Sequence, residues 1–258
     1  MFFRPALLIA GAGLAVAQSL SSQCSSTLLA IAGSQQATCL DLALLAPLAV
    51  SNTSSTSIIP AVNTWLTGVC GQPACTNATL QAVVMNITSG CSSDLASLGL
   101  TTNDTSSLVT TVQVAYPTVR QIACLKDTSA NSLCVTEELT DIQSATTTLS
   151  IDNVIGLITQ AMSGATINIP QNVTCSNCSK AAYDIVAQSF PSVVSSEQST
   201  FQSKCGSAFT DGQMPSNIQE TATNSTSSTG GAASLSVSSL NVGVAMLVAV
   251  SSAFAVFA

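Results

Sequence analysis

Two short stretches hold side chains whose types and spacing could do chemistry. The first is Cys175-Ser-Asn-Cys178. A Cys-x-x-Cys pair runs thiol exchange when a helix N-terminus in a βαβ setting lowers one thiol pKa. A helix starting behind a Ser179 cap fits, but no alternation of strand and helix surrounds it. Zinc held by close cysteine pairs is disfavoured by the absence of histidine and by an oxidising compartment. The second stretch contains Glu137, Glu138 and Asp141. Two carboxylates are enough for glycoside hydrolysis, and Glu137 and Asp141 would share a helix face. Their polar neighbourhood reads instead as a solvated first turn, where the helix dipole favours acids. Asp94 and Asp104 flank loops and suggest no mechanism. The chain has no histidine, which excludes Ser-His-Asp and Cys-His nucleophiles and histidine-bound metals, including copper on an N-terminal histidine. Trp65 is the single tryptophan, too little aromatic surface for stacking sugars, and is expected in the core against a disulfide. No catalytic residue, cofactor site or metal site is expected, and the chain reads as non-enzymatic.

The ten cysteines are Cys24, Cys39, Cys70, Cys75, Cys91, Cys124, Cys134, Cys175, Cys178 and Cys205. An even count in an exported chain reads as a disulfide framework. Each half holds a loose pair, a long gap, a close pair, a helix-length gap and a closing cysteine. That pattern raises two similar halves, 18–105 and 106–210. Five cysteines per half is odd, so complete pairing requires a bridge between the halves.

The elements that must position these cysteines read as helices. Leu80, Val83, Val84 and Ile87 follow the 3.6-residue period, with Thr76 or Asn77 as cap and Gly90 as stop. Asn86 lies about 120° from that stripe. Val154, Leu157, Ile158, Ala161 and Met162 form a second stripe, closed by Gly164. Ala181, Ala182, Ile185 and Val186 form a third, stopping before Pro191. SSLVTTVQVAY reads as a helix ending near Pro117, with a strand as the alternative because of its Thr and Val content. LDLALLAPLAV, interrupted by Pro47, reads as a kinked core helix. No tight hairpin signal such as Asn-Gly occurs. The fold expected is all-α, a small disulfide-stapled helical ectodomain over 18–210. A Ser/Thr-rich stalk follows over 211–230, with seven hydroxyl residues in TATNSTSST, too polar to offset ordering entropy.

The mean hydropathy is +0.49, and the apolar excess sits largely at the two ends. Residues 1–17 carry Arg4, an apolar run from Ala6 to Val16 and a small-x-small site before Gln18, which reads as a secretory signal peptide. Leu240 to Ala258 carries no charge and follows three small residues, Gly230-Gly231-Ala232, and an uncharged spacer. Small residues, a spacer of about 8–12 and a hydrophobic tail form a glycosylphosphatidylinositol (GPI) attachment signal. Residues 231–258 would be removed, with lipid added at Gly230, or at Gly231, Ser228 or Asn224. Between the two cuts, Arg120, Lys126, Lys180 and Lys204 face all 12 acidic residues. Nucleic acid, which is bound mainly through Lys and Arg, is not an expected partner. Sequons at Asn52, Asn77, Asn86, Asn103, Asn172, Asn177 and Asn224 offer sugar as the hydrating coat.

The signal peptide, sequons, cysteine framework, hydroxyl-rich stalk and anchor signal together resemble the plan of fungal GPI-anchored cell-surface mannoproteins. The stretch Cys70-GQPAC-TNATLQAVVMNITSG-Cys91 is similar to a cysteine module in basidiomycete surface proteins, including the immunoreactive mannoproteins. The resemblance implies a mannosylated protein at the extracellular face of the plasma membrane or in the cell wall, with wall glucan as a partner. It carries no catalytic residues with it. The expected function is structural or adhesive. The alternative is an extracellular binding module for a small apolar ligand such as a sterol, lipid or haem.

Overall fold

The computed structural model describes residues 21–45, 55–97, 100–162 and 169–223. Residues 1–17, Pro47, Asn52, Gly164, Asn224, Ser228, Gly230, Gly231 and the 231–258 tail lie outside the described residues. Within them the helical periods give an all-α body with one small sheet. Helix α1 is Ser22–Ala32, α2 Ile59–Gly71, α3 Asn77–Gly90, α4 Ser92–Ser97, α5 Thr105–Ala123 and α6 Cys134–Ala145. Then come α7 Ile151–Met162, α8 Gln171–Thr174, α9 Asn177–Ser189, α10 Pro191–Val194 and α11 Gln198–Cys205. Strands β1 (Leu125–Asp127), β2 (Ser132–Leu133) and β3 (Ile218–Glu220) form an antiparallel sheet in the order β2-β1-β3. Lys126 lies opposite Leu133 on one side and Gln219 on the other.

Helix α3 starts where hydroxyl capping dictates, with Thr76 Oγ1 accepting from the Thr79 amide at 3.1 Å. It buries Leu80, Val84 and Thr88, and Thr88 hides its hydroxyl by donating to the Val84 carbonyl. Helix α1 crosses it closely at Gly90, where a β-carbon would sit 2.1 Å from Thr27 Oγ1. Asp94 anchors the same corner, accepting from the Ser21 amide at 2.9 Å and the Ser21 hydroxyl at 2.7 Å.

All ten cysteines are paired: Cys24–Cys91, Cys39–Cys75, Cys70–Cys124, Cys134–Cys178 and Cys175–Cys205. Cys70–Cys124 is the bridge between halves that odd counting required. Within the halves, only the pairing of second with fourth cysteine is shared. The first cysteine pairs with the fifth in one half, and the third with the fifth in the other.

Several local expectations are corrected. Helix α5 does not end near Pro117 but runs through it to Ala123. An internal proline costs about 3 kcal/mol, and here the helix is held by burial of Leu108, Thr111, Ala115, Thr118 and Arg120. Helix α9 is capped by Ser176, whose hydroxyl accepts from the Ser179 amide at 2.9 Å, so Ser179 is inside the helix rather than its cap. Leu42–Leu45 is a half-buried 3-10 turn, not part of a core helix. Trp65 is only half-buried, and its indole N–H donates to the Leu40 carbonyl at 2.8 Å; it pins the end of the preceding 3-10 segment, Gln35–Leu40. The order also persists past 210, because Ile218 is buried and β3 pairs with β1. The hydroxyl-rich stalk therefore does not begin at Asp211; the folded body reaches Thr223.

Helix α9 is the centre of the molecule. Cys178, Ala181, Ala182 and Ile185 meet Leu125, Cys134 and Ile218. Val186 meets Ala115 and Phe190. Tyr183 packs edge-on to Phe201 and beside Phe209, with centroids 5.2 and 5.7 Å away. A separate core under α6 and α7 gathers Ile59, Ile142, Leu149, Ile169 and Val173. Among the described residues no helix is long and apolar enough to cross a membrane.

Candidate functional site

Strand β1 alternates, with Leu125 and Asp127 buried and Lys126 half-buried between them. Period-2 geometry therefore turns Lys126 away from the α9 core. On that side lies a cleft of about 480 Å³. One wall is α2, where Asn63, Thr67, Cys70 and Gly71 fall at i, i+4, i+7 and i+8 and so share a face. The facing wall is the β1–β2 hairpin, with Lys126, Asn131, Ser132 and Leu133, and the rim is completed by Thr136, Thr221 and Thr223. Asn131 has φ of 55°, a left-handed turn conformation that asparagine tolerates. The Thr136 hydroxyl donates to Asn63 Oδ1 at 2.8 Å, leaving the Asn63 amide N–H groups as donors. No acidic residue lines the cleft.

Behind this cleft Arg120 is buried and, among the described residues, has no ion pair. Its Nη2 donates to the carbonyls of Val69, Gln72 and Thr223, and Nε finds no partner. Two of those carbonyls belong to the C-terminal end of α2, where the helix dipole is negative and a cation is favoured. Arg120 thus works as an internal cap.

The acids lie elsewhere. Glu138 is not solvated as its surroundings in sequence suggested. Burial between α6 and the start of α9 pushes its carboxyl up to about 7, against the hydroxyls of Ser176 and Ser179, which favour the charged form. Both hydroxyls donate to Oε1, while Oε2 is buried without a partner. Glu137 is also raised, first by burial and then by Asp127 and Asp141. Asp127, Glu137 and Cys178 bring ligand-type atoms within 4.8 Å of one another. Cys178, however, is bonded to Cys134, which removes the thiolate a metal would use. Asp127 is already occupied, by the Ser129 hydroxyl and amide, the Ala130 amide and the Asn217 side chain; these hold its pKa below the ordinary carboxylate value.

Asp184, which sequence inspection passed over, is 1% exposed, and neither carboxylate oxygen completes a hydrogen bond. Burial raises it to about 6, with Asp211 adding to the shift and Lys180 and the Gly212 amide opposing it. Lys180 itself is committed to Asp211 at 2.6 Å and to the Ala208 carbonyl.

The structure brings the Cys175-Ser-Asn-Cys178 thiols into two different bridges, to Cys205 and Cys134, so they do not form a redox pair with each other. Asn77, Asn86, Asn103 and Asn172 are exposed. Asn177 is exposed too, but its Nδ2, the atom that would carry sugar, donates to Asn217 Oδ1 at 2.9 Å. The cleft was missed because its walls come from four separated segments; only the Leu-Lys-Asp alternation at β1 was a local signal. Comparison with protein-family models, curated proteins and solved structures finds no match.

Proposed function

We propose that this chain is a GPI-anchored glycoprotein of the cell surface or cell wall with a structural or adhesive role and no catalytic turnover. The observation that carries the reading is a five-disulfide helical body presenting Asn77, Asn86, Asn103 and Asn172 to solvent. Disulfides of this density belong to oxidising, extracellular settings. A body with so few charges needs another hydrating layer, and exposed sequons supply the attachment points. The raised acids Glu138 and Asp184 do not line the cleft, which supports a role without acid–base turnover. The cleft's hydroxyl and amide lining favours a polar occupant over a sterol, lipid or haem. Phosphatidylinositol-specific phospholipase is expected to release the protein from intact cells. The released form should lack residues 231–258 and lose mass on deglycosylation. Retention of Phe254 to Ala258 in the mature protein refutes the anchor.

A further inference from the structure

We propose that the cleft between α2 and the β1–β2 hairpin binds an anionic polyol of monosaccharide size, a sugar acid or sugar phosphate, with Lys126 taking the negative group. Its volume of about 480 Å³ falls within the usual range for small-molecule sites. Three observations select the chemistry. First, Lys126 is half-buried and, among the described residues, its ammonium has neither an ion pair nor a hydrogen bond. In a chain with 12 acidic residues and five basic ones, a half-buried lysine without a carboxylate partner is the feature that calls for an external anion. Second, beside an apolar share that includes Leu133, the lining carries hydroxyls and amides, groups that both donate and accept, as ring hydroxyls require. Third, the frame is fixed before anything binds. The Cys70–Cys124 bridge, the Thr136–Asn63 hydrogen bond and the Thr223 amide bonded to the Cys70 carbonyl at 2.8 Å hold the three walls. A preformed polar site loses little freedom on binding.

Charge and hydroxyls are both needed. A carboxylate or phosphate alone would pair with a single, still hydrated ammonium and gain little. A neutral sugar would leave Lys126 unpaired. The cleft should therefore prefer glucuronate or glucose 6-phosphate over glucose, and over acetate, by on the order of tenfold, the value of one charge-assisted contact. The site is independent of the lipid anchor, so its failure and that of the anchoring reading are separable.

The test is titration of the secreted, glycosylated protein with glucuronate, glucose 6-phosphate, glucose and acetate, followed by calorimetry or ligand-observed NMR. Saturable binding of either anionic sugar is expected, with glucose and acetate on the order of tenfold weaker. Lys126→Gln should abolish the preference for charge, and Lys126→Arg should retain it. Asn63→Ala should weaken both anionic sugars while leaving acetate unchanged. Unfolding midpoints of the variants check that the frame survives, and Lys126→Arg keeps the test decisive if Lys126→Gln fails to fold. The proposal is overturned if no anionic sugar saturates, if glucose or acetate binds as well, or if Lys126→Gln binds glucuronate like the wild type.

Discussion

Asp184 makes the fold acid-stabilised, and the size of the effect follows from its surroundings. The carboxyl is 1% exposed on the central helix α9, and neither of its oxygens completes a hydrogen bond, although the Gly212 amide lies near enough to oppose the shift. Lys180 on its own helix and Asp211 on the covering loop are the charged groups that act on it. Its folded pKa is about 6 against an ordinary 3.8, and each tenfold change in proton affinity corresponds to about 1.36 kcal/mol. A raised carboxyl contributes stability that is fully present below its unfolded pKa and lost as pH rises through its folded one. The loss from Asp184 alone is then roughly 3 kcal/mol between about pH 4 and pH 7. Glu138, raised to about 7, acts with the same sign. Asp127, held low by Ser129, acts oppositely and only below the ordinary carboxylate range. Urea unfolding with disulfides intact should therefore show greater stability near pH 4.5 than at about pH 7.5. Asp184→Asn, which mimics the neutral acid, should change little in acid and raise stability at the higher pH by roughly 2–3 kcal/mol. A wild type that gains stability from pH 4.5 to 7.5, or an Asp184→Asn variant less stable than wild type at about pH 7.5, refutes the reasoning.

Other consequences follow from the same contacts. Replacing Cys70 and Cys124 together with alanine opens a loop spanning 54 positions; chain entropy puts the loss at about 4 kcal/mol, read from the denaturant midpoint. Arg120→Met leaves the carbonyls of Val69, Gln72 and Thr223 without that donor and should cost roughly 2–4 kcal/mol, whereas Lys126→Gln should leave the unfolding midpoint within about 0.5 kcal/mol of wild type. Asn77→Gln, Asn86→Gln, Asn103→Gln and Asn172→Gln should each lower the intact mass by one glycan. Asn177→Gln should leave the attached glycan mass unchanged and cost about 1 kcal/mol through the lost Asn217 hydrogen bond.

What could be read from sequence was whatever depended on near neighbours. The Thr76 cap and the Leu80–Val84 stripe are settled within one or two helical turns, and both are found. The odd cysteine count per half required a bridge between halves, and Cys70–Cys124 is that bridge. Pro117 was misread because local propensity argues for a break, while the burial that overrides it comes from packing on both sides of α5. Asp184 follows an apolar stripe at a position that looks like helix surface, and only the cover supplied by later residues, including Asp211 and Gly212, makes it interior. Arg120 Nη2 donates to Gln72, 48 residues earlier, and Thr223, 103 residues later; no sequence period encodes such a partner. Ile218 to Thr223 sit in a polar stretch, so their strand depends on the exposed edge of β1 waiting to be paired.

The Cys70–Cys124 bridge does more than join two stretches of helix. The Cys124 carbonyl accepts from the Thr221 amide at 3.0 Å and from its hydroxyl at 2.8 Å, while the Cys70 carbonyl accepts from the Thr223 amide at 2.8 Å. Both bridged residues therefore hold the segment after β3, and Arg120 grips the same Thr223 from beneath. Ala222 packs between these bonds on the two cysteines themselves. Charge plays little part at this joint, since none of the hydrogen bonds that hold Thr221 and Thr223 involves a carboxylate. Long-range order here comes from a crosslink whose own backbone groups recruit a strand. That strand in turn places Thr221 and Thr223 on the rim of the cleft, so the bridge that unites the halves also fixes this polar concavity.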